Sequence, residues 1–441
     1  MVNYGCPKNE VDAESMAQVL LGTGYRAIAD PREADVVVVN TCGFIRSAAS
    51  ESLSGIRSLV ARKRPGQVVV AAGCLAERDG ARLAKRVPGL DGVLGTLRWA
   101  EIARLVEEVR AGRPAYWLGP ARAEPHVRRA ALGPSAYLKI SDGCDIGCAF
   151  CTIPQIKGPH RSKPADLIVA EARELVAQGV REVNLIGQHT TDYGRDLGQR
   201  DGLADLLHRL AAEVPDLPWI RLMYAYPGRL TPRLIEAIAG LPQVVKYVDV
   251  PLQHAHPDVL ARMGRPRHDP RQLVAELRAA IPGLALRSAF IVGFPGETEE
   301  EFAALLGFLE ESELDRVGVF KYSREEGTRA AVLPGQLPER VKDRRYARAM
   351  ELQQRISLQR NRGFIGQTLP VLVEGEVAKA VGKSDPPGRS VGRSYRDAPE
   401  VDGLVYIRET VSVGEIVPVR VIEATEYDLV GEVERPSRPL A

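Results

Sequence analysis

The chain reads as an α/β protein in three parts: an N-terminal doubly wound α/β domain, a central partial (βα)6 barrel and a C-terminal small all-β barrel. Three observations predict this. Two β-branched runs near the start, Val36–Asn40 and Val68–Ala72, are each followed by a helical pattern. A strand-then-helix rhythm then repeats six times, and the end of the chain carries short alternating runs separated by Gly, Pro and Asp.

The elements follow in order. Runs such as Val36–Val39 are apolar throughout, as strands buried on both faces of a parallel sheet must be, and with their helices they make a small two-faced sheet over residues 1–111. Gly112, Pro114, Gly119, Pro120, Pro125, Gly133 and Pro134 crowd residues 112–134, a linker by composition. Strands are expected near 137–141, 183–187, 219–224, 247–250, 285–292 and 315–321, a series that curls into a parallel barrel within residues 135–365. A charged helical pattern from Pro338 to about Arg362 trails that barrel. Leu369–Val373, Leu404–Arg408 and Val417–Ile422 then alternate as strands of a small β-barrel over 366–441.

With 441 residues, 45% hydrophobic and 26% charged, the chain has the composition of a globular protein, which excludes a disordered, collagenous or disulfide-stapled one. A net charge of +2 gives no global field that would attract nucleic acid or anionic membrane. Charges interrupt the N-terminus where a secretory signal would be apolar, and Val36–Val39 and Val68–Cys74 are far short of a membrane span. The expectation is a cytoplasmic protein with no membrane partner. In that reducing compartment the six cysteines are metal ligands or reactive thiols before they are disulfides.

The cysteines form two sets. Cys144, Cys148 and Cys151 stand as C-x-x-x-C-x-x-C just after the strand Tyr137–Ser141, at the edge where barrel active sites lie. Three thiolates on one tight loop can hold three irons of a cubane and leave the fourth open to activate a small molecule. A zinc knot or buried free thiols are the alternatives; structural zinc usually takes four protein ligands, and neither a fourth cysteine nor a well-placed histidine follows. Cys6, Cys42 and Cys74 are separated by about one βαβ unit each, and Cys42 and Cys74 directly follow strands. Parallel strands would deliver all three to one sheet edge, the edge where open α/β sheets bind ligands. Three unrelated buried cysteines remain the alternative on spacing alone.

At these residues the sequence resembles the radical S-adenosylmethionine (SAM) enzymes, and within them the methylthiotransferases. The segments are Gly5–Asn9 (GCPKN), Val39–Ile45 (VNTCGFI), Arg221–Pro227 (RLMYAYP), Asp249–His254 (DVPLQH), Val319–Thr328 and Gly392–Gly403. They resemble the RimO type, which modifies an aspartate of small-subunit ribosomal protein twelve, more than the MiaB type, which modifies transfer-RNA adenosine. The resemblance implies a radical SAM barrel, a C-terminal TRAM domain and two [4Fe-4S] clusters, one on Cys144, Cys148 and Cys151 and an auxiliary one on Cys6, Cys42 and Cys74. It implies two SAM molecules, one cleaved to a 5′-deoxyadenosyl radical and one giving its methyl group. An unactivated C–H bond demands such a radical, because no side-chain base could usefully deprotonate it. The implied partners are the ribosomal protein, free or in the ribosome, and an electron-donor reductase, with nucleic acid not primary and the enzyme a monomer.

Beyond the cysteines, the resemblance points to Phe150 as an aromatic contact to adenine and to Gly187 and Gln188 near the SAM amino group. Gln253 and Arg287 are further SAM-pocket candidates. His254 and His256 are placed at the rim facing substrate. Two glycine-bearing segments are not phosphate or dinucleotide motifs: Ile291–Thr298 lacks the Gly-Lys-Ser/Thr of a P-loop, and Gly22–Ala27 follows a helical stretch, so it reads as a turn. Arg62–Arg64 and Arg344–Arg345 read as solvated helix faces.

Two departures from the family pattern stand out. Only Met1–Tyr4 precede Gly5, so the first strand is short or the chain starts late, and His189 replaces an acidic residue commonly found after Gln188. Transfer-RNA methylthiolation is the rival within this chemistry, but residues 366–441 carry nine Lys/Arg against thirteen Asp/Glu, a balance of −4 better suited to a basic protein than to phosphate. A non-catalytic iron-sulfur protein that binds the ribosome is the rival from another class.

Overall fold

The computed structural model describes residues 1–120, 126–265, 269–377 and 388–434. The first sheet is parallel, in the order β1 (Val2–Asn3), β2 (Val36–Thr41), β3 (Val68–Gly73), β4 (Gly92–Gly95), β5 (Ala115–Trp117). β2 and β3 are buried almost throughout, which is why their sequences are apolar at every position up to the sheet edge. Helices Pro7–Gly22 and Ile102–Arg110 pack on one face of the sheet, and Arg46–Ala61 with the helices after β3 on the other. The fifth strand lies inside the span expected to be linker: Ala115, Tyr116 and Trp117 pair with Gly92, Val93 and Leu94, so Pro114 introduces a strand instead of a loop. The rest of that span is partly outside the described residues, as are 378–387 and 435–441 near the chain's end.

The second sheet runs β6 (Ser135–Lys139), then β7 (Ser141–Asp142) and β8 (Arg161–Ser162) as a separate antiparallel pair, then β9 (Glu182–Ile186), β10 (Trp219–Leu222), β11 (Val244–Asp249), β12 (Ala285–Val292) and β13 (Arg316–Lys321). Six of these, β6 and β9–β13, form a parallel sheet in sequential order, a partial barrel. Alternate residues such as Leu138, Val183, Ile220, Val248 and Leu286 face the outer helices in the largest core. The intervening ones, among them Tyr137, Ile186, Trp219, Tyr247 and Ala285, line the concave side.

After helix Glu339–Arg362, strands β14 (Thr368–Glu376), β15 (Ser390–Ser394), β16 (Val405–Ile407), β17 (Ile416–Ala424) and β18 (Leu429–Val433) close a five-stranded barrel. Leu372 and Ala398 of this barrel belong to the same apolar cluster as Tyr137, Trp219 and Tyr247, so the small domain plugs the lower end of the large one. Charge reinforces the plug. Glu182 accepts from Arg221 and Arg393, Arg316 donates to Asp397, Arg396 reaches Asp315, and Tyr247 donates to Asp402, and nearly all of these side chains are fully buried. The segment Gly392–Gly403, singled out above only by resemblance, is this plug.

No described helix is long and apolar enough to cross a membrane.

Candidate functional site

Cys6, Cys42 and Cys74 stand at the carboxyl ends of β1, β2 and β3. Cys6 caps helix Pro7–Gly22, and Cys74 opens the next short helix. Asn9 ties them together: its Oδ1 lies 3.9 Å from Cys6 Sγ and 3.7 Å from Cys74 Sγ, while its Nδ2 donates to the carbonyls of Tyr4 and Thr41 at 3.0 and 2.9 Å. Ser52 holds the Cys42 backbone, accepting from its N–H at 3.0 Å. Two glycines are demanded by this close approach. A side chain at Gly5, where φ is +120°, would come 3.0 Å from Cys42 Cβ, and one at Gly43 would come 2.8 Å from the Leu75 nitrogen. The motifs Gly5–Asn9 and Asn40–Gly43 are therefore a fold requirement as much as a ligand set.

Cys144, Cys148 and Cys151 lie on the loop between β7 and β8, whose pairing of Ser141 with Ser162 and Asp142 with Arg161 pins both ends. Gly143 has φ +74°, and a side chain there would collide with the Pro159 carbonyl at 2.0 Å. The loop is clamped further by Ala149, whose N–H donates to Met263 at 2.8 Å and whose carbonyl accepts from Ala330 at 2.8 Å. Arg265 Nη1 stands 4.0 Å from Cys148 Sγ. Three cysteines in each set suit three irons of a cubane, with the fourth iron left open.

Burial raises the thiols of Cys42, Cys74, Cys144, Cys148 and Cys151, with Cys74 and Cys151 pushed up to about 12 and Cys144 to about 11. Desolvation disfavours a bare thiolate, so such sulfurs become anionic ligands only where iron supplies the compensating charge.

The two sets are held across one interface. Asp12 of the first domain and Asp142, two residues before Cys144, share Lys139 and Lys157; Lys157 Nζ lies 2.9 Å from Asp142 and 3.5 Å from Asp12, and Lys157 is 1% exposed. Desolvation of Asp142 is outweighed by the two ammonium groups, which hold its carboxyl well below the ordinary range. Thr152 donates to the Phe44 carbonyl at 3.1 Å, and Glu325 binds both the Arg46 N–H at 2.7 Å and Arg78 at 3.1 Å. Sequence reasoning does not reach Asn9, Lys139 or Lys157 individually; a lysine in a barrel strand reads as surface until its partner Asp12, more than a hundred residues away, is known.

The remaining candidates divide. Gly187 packs against Ser141, a side chain there meeting Ser141 Oγ at 2.5 Å, which brings it beside the cysteine loop. Ser141 Oγ, Gln188 Oε1 and His160 Nδ1 are buried without a hydrogen-bond partner among the described residues, which leaves them available to a ligand. His189 Nε2 sits 3.0 Å from Asp192 Oδ2, so the acidic group missing at position 189 is supplied three residues later. Phe150 packs against the apolar cluster of Ala149, Met263 and Phe294. Gln253 joins β12 by donating to Ala289 and accepting from Ile291, with φ +72°, a strained value for a residue with a side chain. Arg287 lies on the concave side, engaged by Asp249 at 2.9 Å and Asp402 at 3.3 Å, a fixture of the lumen wall and not a free cation.

Three expectations are corrected. His254 is not at the rim: it is fully buried, 3.1 Å from Glu297, because that carboxylate and Arg345 form a buried chain behind the strand ends. Arg345 is accordingly no solvated residue. Lys63 spans to Asp91 and the Gly89 carbonyl, tying the end of helix Arg46–Ala61 to the turn before β4.

Comparison with known proteins agrees with this geometry. Residues 138–309 match the radical SAM superfamily, 1–95 the uncharacterized protein family UPF0004, and 365–433 the TRAM domain. Curated relatives named ribosomal protein uS12 methylthiotransferase RimO include that of Roseiflexus sp. strain RS-1, 51% identical with 99% of this chain and 97% of that protein covered. The one from Chloroflexus aurantiacus is 50% identical, with 98% of each covered, and the one from Geobacter sulfurreducens 45%, also with 98% of each covered. Among solved structures, the radical SAM methyltransferase TsrM from Kitasatospora setae, with cobalamin and a [4Fe-4S] cluster bound, has a TM-score of 0.56 at 17% identity over 73% of this chain and 74% of that one, a likeness of fold. With near-complete coverage at half identity, the chain belongs to the RimO family of radical SAM methylthiotransferases.

Proposed function

We propose that this protein methylthiolates the β-carbon of an aspartate in ribosomal protein uS12, with Cys144, Cys148 and Cys151 holding the radical SAM cluster and Cys6, Cys42 and Cys74 the auxiliary one. The observation that carries the reading is the pair of cysteine sets, each at the carboxyl edge of its own parallel sheet and locked across one interface by Asp12, Asp142, Lys139 and Lys157. When loaded, the clusters supply the electron that splits SAM into methionine and a 5′-deoxyadenosyl radical and the sulfur that the substrate carbon takes up.

The chain's own residues position the reactants. Gln188 Oε1 and Ser141 Oγ are acceptors open to the SAM amino group, and Phe150 offers its ring to the adenine. Arg265 compensates the thiolate charge at Cys148. The four-membered ion cluster fixes the separation of the two centres, which serves a reaction in which a short-lived radical at one must meet sulfur at the other. A reductase donates the electron, and a second SAM donates the methyl group.

Anaerobic incubation of reconstituted, reduced enzyme with SAM, uS12 and bulk transfer RNA together, followed by mass spectrometry, tests the reading. A methylthio increment on the uS12 aspartate is expected; the same increment on adenosine would overturn the substrate. Cys148→Ala should abolish 5′-deoxyadenosine formation, whereas Cys42→Ala should leave it and stop sulfur insertion. Equal loss of both activities in both variants would refute the division of labour.

A further inference from the structure

Lys8, two residues after Cys6, is a cation beside the cysteine sets that no carboxylate claims among the described residues. Lys139 and Lys157 are spent on Asp12 and Asp142, Arg287 on Asp249 and Asp402, and Arg265 on Cys148 and the Pro251 carbonyl. Lys8 Nζ instead lies 3.5 Å from the centroid of the Tyr224 ring, and no carboxylate comes within ion-pair distance of it among the described residues. It is half-buried in the second position of the helix that Cys6 caps. Removing an ammonium from water without an anion is costly, and the face of an aromatic ring returns only part of that cost.

Tyr224 places this cation relative to the radical centre. It follows β10, takes a left-handed φ of +59°, and donates its N–H to Asp249 Oδ2 at 3.1 Å. Two residues on, Tyr226 lies beneath the Arg265 guanidinium at 4.5 Å, and Arg265 adjoins Cys148. Tyr224 to Tyr226 therefore runs from Lys8, beside Cys6, to Arg265, beside Cys148. A left-handed backbone is strained in a residue with a side chain, and it is kept where the ring is needed in that place.

Accepting the aspartate reading above, we propose that Lys8 is the counter-ion of the substrate's side-chain carboxylate and so the residue that selects aspartate. The carboxyl carbon of aspartate is bonded to the carbon that takes up sulfur. Sulfur delivery at the Cys6, Cys42 and Cys74 centre therefore brings the carboxylate within a few ångströms of it, where a charge needs a partner. Lys8 is the cation at that point, held by Tyr224 and free of any carboxylate partner among the described residues, so its charge is available to a substrate carboxylate.

The test uses the reconstituted full chain and uS12 carrying either its aspartate or asparagine at the modified position, read by binding affinity from titration calorimetry and by kcat/KM. Parent enzyme should prefer the aspartate form by about 10- to 100-fold in both, the range for a hydrogen bond to a charged group. Lys8→Met should bring the preference below about 3-fold with iron and sulfide per chain unchanged, and Lys8→Arg should restore most of it. A Lys8→Met enzyme that still prefers aspartate as the parent does would overturn the proposal. Loss of auxiliary iron in both variants would do the same, because Lys8 would then serve the cysteine loop. Failure of the parent enzyme to modify the aspartate protein at all would instead refute the substrate reading on which this one rests.

Discussion

Glu182→Gln should be among the most damaging single-atom changes in this protein. Glu182 is fully buried and accepts from Arg221 Nε at 2.8 Å, from Ser135 Oγ at 2.8 Å and from Arg393 of the C-terminal barrel. Burial alone would raise its carboxyl, but Arg393 and Arg221 outweigh it and hold it at about 2 against an ordinary 4.5. A displacement of that size is worth about 3 kcal/mol at neutral pH, and breaking a buried ion pair by removing one partner costs about 3–5 kcal/mol, so the two lines of reasoning agree. The amide keeps the shape and leaves two guanidinium groups with less charge to answer them; only Arg393 retains a second carboxylate, Glu374. Urea unfolding followed by tryptophan fluorescence should show the first transition lowered by about 3 kcal/mol at pH 7. Because the folded carboxyl sits below its unfolded value, the difference between parent and variant is full above about pH 4.5 and fades as pH falls toward 2. Glu432→Gln, on the exposed pair with Arg408 and Arg420, is the control and should change stability by less than about 1 kcal/mol. A Glu182→Gln protein within about 1 kcal/mol of the parent at pH 7 would refute the claim that charge locks the plug into the barrel.

Two further outcomes are expected. Lys157→Met leaves Asp12 and Asp142 to share Lys139 alone, so limited proteolysis should cut between the first domain and the barrel faster than in the parent, with a loss of about 3 kcal/mol by urea unfolding; unchanged cleavage and stability would show the interface to be held by its other contacts. Glu10 is raised to about 7 by burial and by the like charges of Glu400 and Glu14, so its cost appears as pH rises above 4.5 and is complete above 7; Glu10→Gln should stabilise by about 1–2 kcal/mol at pH 8 and by nothing at pH 4, and a pH-independent gain would assign the effect to packing.

The architecture was legible because each part repeats a simple period. Val36–Val39 and Val68–Ala72 are continuous apolar runs, and the six barrel strands recur at regular intervals with helical patterns between them. What escaped was whatever depends on a distant partner. Ala115–Trp117 is three residues long and bounded by Gly and Pro, so only its pairing with β4 makes it a strand. β15 is similarly weak alone: Ser390–Ser394 holds two serines, a glycine and an arginine, buried because Arg393 meets Glu182. The cysteine sets were visible from spacing, but Lys157 and His254 were not, since a lysine at the end of a short helix and a histidine after a strand look solvent-facing until Asp142 and Glu297 are found beside them. Arg287 was visible as a polar residue in a buried strand, yet spacing could not tell that two carboxylates already claim it.

The plug also sets a timetable. Arg393 follows Glu182 by 211 residues, so at roughly 5–20 residues per second the nascent chain exposes the acid about 10–40 s before its partner is made. Arg316 waits similarly for Asp397, 81 residues on. Through that interval the concave side, with Tyr137, Trp219 and Tyr247, has no floor, and the first two domains are a vessel open at both ends. Synthesis of the last small barrel is thus the step that completes the large one, and a chain interrupted before it would carry its apolar lumen to water.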